Sequence, residues 1–127
     1  MVSTKSIWAG RILSGLVALL LAFDAVMKIA LSQVAVDGTV QLGYPAGVVR
    51  GLGIALLGSV ILYAIPRTSL IGAILVTGYL GGAVATHVRV GDPWLSHILA
   101  PVYVAVMIWG GLVLRETRLR SLVLSGL

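Results

Sequence analysis

Two histidines, four acidic residues and no cysteine limit the chemistry open to this chain of 127 residues. Asp24 and Lys28 stand four apart, which puts them on one face of a helix. Such a pair is either self-satisfied, with Lys28 reaching toward lipid headgroups, or it is an acid turned into an internal cavity as a proton carrier or ligand anchor. His87 and His97 flank the turn Gly91-Asp92-Pro93, so both belong to one level of the molecule. Two imidazoles at one level suit a haem, a metal or the head group of a quinone. No third or fourth ligand with recognisable spacing accompanies them, so a metal site is not expected. Tyr79, Ala83 and His87 share a helical face, and Thr86, Arg89 and Asp92 lie beside it in sequence. Pro101 removes the N–H that would bind the His97 carbonyl. Asp24, His87 and His97 are therefore the candidates for acid–base work, and Lys28, Arg50, Tyr79, Thr86, Arg89, Asp92 and Tyr103 the candidates for holding a ligand. The equally simple alternative is that the polar groups only tie down a loop. The chain carries no Ser-His-Asp order, glycine-rich phosphate loop or paired-carboxylate motif.

The elements that position these residues must be membrane spans. The chain is 59% hydrophobic and 10% charged, with mean hydropathy +1.10, whereas soluble domains carry roughly 25% charged residues. The net charge of +5 does not indicate nucleic acid, because the basic residues sit at the ends of apolar runs and form no basic face with interleaved aromatics. Without cysteine there is no disulfide, thiolate metal site or thiol nucleophile. Four apolar runs, near 7–31, 47–65, 69–88 and 94–114, are each long enough to span a bilayer. The first lacks a clean small-x-small cut site and is too long for a signal peptide.

Short connections at Pro66-Arg67-Thr68 and Gly91-Asp92-Pro93 make antiparallel neighbours. The expected fold is thus an all-α membrane protein, a single domain of four transmembrane helices in an up-down-up-down bundle, with a tail over 115–127. The long loop 32–45 contains Val34, Val36, Val40 and Leu42, whose spacing fits a short helix on the membrane surface as well as an alternating strand. Lys5, Arg11, Arg67, Arg115, Arg118 and Arg120 share one side, and Lys28, Arg50 and Arg89 the other, so both termini are expected in the cytoplasm. Arg50 is expected to pair with Asp24, Asp92 or lipid phosphate. Trp8, Tyr63 and Trp109 are expected near one membrane interface, and Tyr44 and Trp94 near the other.

Inside lipid, helices associate through close packing of small residues. Gly15, Ala18, Ala22 and Ala25 form such a stripe on the first run, Gly47, Gly51, Ala55 and Gly58 on the second, and Gly78, Gly82 and Thr86 beside Gly81 and Ala85 on the third. These are expected to be helix interfaces; the alternative is a groove in which a flat or chain-like ligand replaces a side chain.

Gly43-Tyr44-Pro45, Ile65-Pro66-Arg67-Thr68, the whole segment from Gly78 to Pro93, and Asp24 with Lys28 resemble the DoxX-like family of small bacterial integral membrane proteins, over nearly the full chain. That resemblance implies a multi-pass protein of the cell inner membrane. The family takes its name from a relative of the smaller subunit of a thiosulfate:quinone oxidoreductase, and other relatives are implicated in redox maintenance. Many relatives carry an acid within the second helix, where this chain has Leu56. The expected function is a membrane-embedded binder of a lipophilic, quinone-like molecule, with quinone as the cofactor, acting as a subunit of a redox system beside a membrane or peripheral redox partner. One alternative is a metal-independent isomerase, hydrolase or reductase that uses Asp24 with His87 or His97 on a lipophilic substrate. Another is an accessory subunit without a site, packing through its glycine stripes, with a homo-oligomer among the assemblies such stripes allow.

Overall fold

The computed structural model describes residues 4–124; the last three residues of the expected tail lie outside that range. Helix α1 covers Thr4–Ile29, α2 Gln33–Gln41, α3 Val49–Ala64, α4 Ser69–Val90, α5 Ala100–Arg115 and α6 Thr117–Leu124. A short 3₁₀ turn, Ala46–Val48, leads into α3, and a π-helical turn, Trp94–Ile98, leads into α5. Four segments are long and apolar enough to cross a membrane: Thr4–Ile29, Ala46–Ala64, Ser69–Val90 and Trp94–Arg115. Exposed leucine, isoleucine, valine and phenylalanine side chains, such as Leu19, Phe23, Ile54, Ile74 and Val106, cover their outward faces, as lipid contact requires.

The four spans form an up-down-up-down bundle. Helix α1 packs on α3 and α5, and α4 packs on the same two, so α1 and α4 face each other across the diagonal. The core residues of α1 are Gly10, Ser14, Val17, Leu21 and Ala25, a three-four spacing that keeps one seam inward. The Pro66 turn closes its own polar groups: the Thr68 hydroxyl donates to the Leu62 carbonyl at 2.7 Å, and the Ser69 hydroxyl donates to those of Tyr63 and Ile65, both at 2.9 Å. Around this end, Tyr63 is fully buried. Its hydroxyl donates to the Ile108 carbonyl at 2.6 Å and accepts from Ser14 at 2.9 Å. The Arg115 guanidinium lies 4.5 Å from the Tyr63 ring centroid and donates to the Tyr63 carbonyl and the Ser69 hydroxyl.

Packing departs from the expected glycine faces. A Cβ placed on Gly15, Gly47, Gly51, Gly58, Gly78, Gly81 or Gly82 would meet nothing within 4 Å. The close approaches occur instead at Gly10, Gly53, Gly72 and Gly111; a Cβ on Gly72, for example, would lie 2.1 Å from the Tyr63 backbone nitrogen. Small residues permit an interface, but the buried Ser14–Tyr63–Ile108 hydrogen bonds tie one face each of α1, α3 and α5 inward. Tyr63 and Trp109 pack within the bundle, the Trp109 indole donating to the Thr77 hydroxyl at 2.7 Å.

The long loop contains a helix. The Ser32 hydroxyl caps α2 by accepting from the Ala35 N–H at 3.3 Å. Before it, the turn that follows α1 passes through Leu31, which adopts φ +56°. Arg50 donates to the Ile29 carbonyl at 2.9 Å, satisfying the end of α1. It does not pair with Asp24 or Asp92, as the sequence had suggested, because α1's last carbonyls lie nearer its helix.

Candidate functional site

The end of the bundle opposite the Pro66 turn holds a cavity of about 550 Å³. Its walls come from α1 (Leu21, Asp24, Lys28), α4 (Gly78, Tyr79, Gly82, Thr86, His87), the π turn and α5 (Ser96, His97, Pro101, Val104), with Leu52 of α3 and Thr39, Leu42 and Tyr44 from the segment between the first two spans. Most of the wall surface exposed to this space is apolar. Gly78 and Gly82 contribute space: both are exposed, and neither has a neighbour where a Cβ would stand. On α4, then, the small-residue stripe is a groove and not a helix contact.

The polar groups sit at one end of this space. Lys28 Nζ donates to Asp24 Oδ2 at 2.7 Å and to the Tyr79 hydroxyl at 2.9 Å, bridging the diagonal between α1 and α4. The lysine side chain is 16% exposed and the aspartate 50%. Charge is thus locally balanced, while the Tyr79 O–H proton has no acceptor among the described residues. Tyr44 donates to Thr86 at 2.7 Å, because the Thr86 hydroxyl already donates to the Gly82 carbonyl at 2.8 Å. His87 Nδ1 lies 2.5 Å from Asp92 Oδ2, and His97 Nδ1 lies 2.8 Å from the Ser96 hydroxyl. Both imidazoles therefore keep Nε2 for an occupant. Their rings meet edge-on, with centroids 5.8 Å apart.

Local backbone explains why these groups converge. Gly91, at φ +77°, ends α4 in the left-handed conformation that glycine adopts without strain. The Asp92 N–H then returns to the His87 carbonyl at 3.1 Å. This folds the Asp92 carboxylate back over the His87 ring. The π turn bonds the Leu99 N–H to the Trp94 carbonyl at 2.9 Å and brings His97 beside His87; such turns often mark functional positions.

A second cavity of about 580 Å³ adjoins the first and shares Asp24, Lys28, Thr39, Leu42, His87 and His97 with it. Its remaining lining, Val34, Ala35, Gly38, Gln41, Val90 and Asp92, lies in α2 and at the end of α4. Those segments fall between or at the limits of the candidate spans, so this cavity lies on the loop side of the first.

Of the residues singled out from sequence, Asp24, Lys28, Tyr79, Thr86, His87, Asp92 and His97 line one or both cavities. The wall places Asp24 and the two imidazoles around common space, yet Asp24 bonds Lys28 and His87 bonds Asp92. Three lie elsewhere. Arg50 caps α1. Arg89 donates to the Leu42 carbonyl at 2.7 Å and covers Gly43, tying the turn after α2 to α4. Tyr103 is half exposed on α5. Sequence reasoning missed Thr39, Leu42, Tyr44, Leu52 and Ser96 as wall residues. The signal that could have raised the first three was Ser32 as a helix cap before the apolar spacing of Val36, Val40 and Leu42.

A sequence profile described as the DoxX-like family matches residues 12–111 of the chain. No curated protein and no solved structure matches it.

Proposed function

This chain belongs to the DoxX-like family, and we propose that it is a membrane-embedded binder of a lipophilic, quinone-like molecule and serves as a subunit of a redox system in the bacterial inner membrane. The observation that carries the reading is the meeting of unspent polar groups with an apolar cavity. Lys28, Tyr79, His87 and His97 border one space of about 550 Å³, a volume in the ordinary range for a small-molecule site. A ring bearing carbonyl oxygens would accept from Tyr79 and Lys28, while an apolar chain would lie along Gly78 and Gly82. The redox role rests on the family resemblance. Six basic residues at the end carrying the termini and the Pro66 turn, against three at the cavity end, support a cytoplasmic position for the termini.

The test is titration of the protein in lipid nanodiscs with a short-chain quinone. Saturable binding at one site per chain is expected, weakened at least tenfold by Tyr79→Phe together with Lys28→Met. Binding that is non-saturable, or indifferent to that double variant, would refute the reading. A second reading, an acid–base enzyme on a lipophilic substrate, is favoured by the presence of Asp24 and both histidines in one wall. It predicts that Asp24→Asn leaves ligand binding intact and abolishes turnover.

A further inference from the structure

Both cavities hold Asp24, but only the second also holds Asp92, and that addition gives His87 a direction. Asp92 lines only the second cavity, on the loop side, whereas His87 lines both. The imidazole therefore stands between the Asp92 carboxylate, which is partly exposed, and the first cavity. Its Nδ1 is engaged by Asp92 at 2.5 Å, and its Nε2 is unengaged. Facing the same ring are His97, edge-on at 5.8 Å, and the Asp24–Lys28 pair, closed on itself at 2.7 Å. Arg89, two residues along, is committed to the Leu42 carbonyl. Asp92 is thus the acid that His87 addresses.

We propose that Asp92 and His87 form a proton port between water and the head group of a molecule bound in the apolar cavity. The inference rests on the occupancy proposed above. In the release direction a hydroxyl of the bound molecule gives its proton to His87 Nε2, His87 Nδ1 gives its proton to Asp92 Oδ2, and Asp92 gives that proton to water. One proton leaves: an O–H bond of the ligand breaks as N–H forms at Nε2, the Nδ1–H bond breaks as O–H forms on Asp92, and that O–H bond breaks as water is protonated; His87 is left as its Nε2–H tautomer, and no electron moves. Uptake is the same sequence reversed. The port fits ligands whose head group ionises at oxygen, such as a hydroxyquinone or a quinol.

The probe is a 3-alkyl-2-hydroxy-1,4-naphthoquinone, whose colour changes on ionisation, bound to the protein in nanodiscs and followed after a rapid pH jump. Asp92→Asn is near-isosteric and keeps the N–H that returns to the His87 carbonyl, so α4 retains its cap. The variant is expected to bind the probe within twofold of the wild-type affinity and to ionise it at least tenfold more slowly, with Asp92→Glu restoring most of the rate. Equal ionisation rates in wild type and Asp92→Asn, with the probe bound, would overturn the port and leave the binding site standing. A probe that does not bind at all would overturn both.

Discussion

At the end of the bundle with the Pro66 turn, glycines stand where helices come closest: Gly10 against the Arg115 backbone, Gly72 against Tyr63 and Gly111 against Ser14. At the other end Gly53 still presses on α1, but Gly78 and Gly82 on α4 face open space. The same residue type brings backbones together in one place and keeps them from filling a gap in the other. The polar groups differ in the same sense. Tyr63 gives its proton to a carbonyl and accepts from Ser14, so its hydroxyl is spent on the fold. Tyr79 accepts from Lys28 and keeps its proton. One end is built to be closed, and the other leaves donors and volume for something else.

The largest expected effect comes from putting a methyl group where the closed end has no room. Gly72→Ala should destabilise by about 3 kcal/mol, since the clash is with backbone and cannot be relieved by a rotamer change; unfolding in mild detergent reads it. Gly82→Leu should leave that unfolding curve in place and reduce ligand binding at least tenfold by filling the groove. Equal destabilisation by both would erase the distinction between the ends.

Tyr63→Phe removes the buried hydroxyl shared by Ser14 and Ile108 and should cost about 1 kcal/mol in the same assay. Tyr79→Phe should cost little stability and weaken binding instead. Arg89→Gln loosens the tie to Leu42, so amide exchange over 33–45 should speed up several-fold while exchange at the Pro66 turn stays unchanged. The smallest effect belongs to Leu31, whose left-handed backbone conformation disfavours a side chain. Leu31→Gly should stabilise by at most about 1 kcal/mol, measured as a small rise in the unfolding midpoint.

The four spans were legible because hydropathy and length alone define them. Asp24 with Lys28 was legible because helical spacing is local, and so was the neighbourhood of His87 and Asp92, joined by a five-residue cap. Rotation of each helix was not. Gly51 and Gly53 lie two apart on α3, and only the latter meets α1, where a Cβ would press on the Ala25 carbonyl at 2.7 Å. Composition cannot choose between them, since the choice goes with the hydrogen bond that Tyr63, farther along α3, makes with Ser14 of α1. The wall contributed by Thr39, Leu42 and Tyr44 was hidden for a similar reason: it depends on Arg89 and Thr86 reaching across from α4. Leu56 is fully buried in the core, so that position of the second span is used here for packing.

The most direct test of the open end is mass spectrometry of small molecules carried by gently extracted protein, wild type beside Gly82→Leu. The wild type should retain a lipophilic molecule near one per chain, and the variant, folded to the same helical content, should carry at most a tenth as much. Equal loading of the two proteins, or a wild type carrying bulk lipid alone, would contradict a built ligand site at this end.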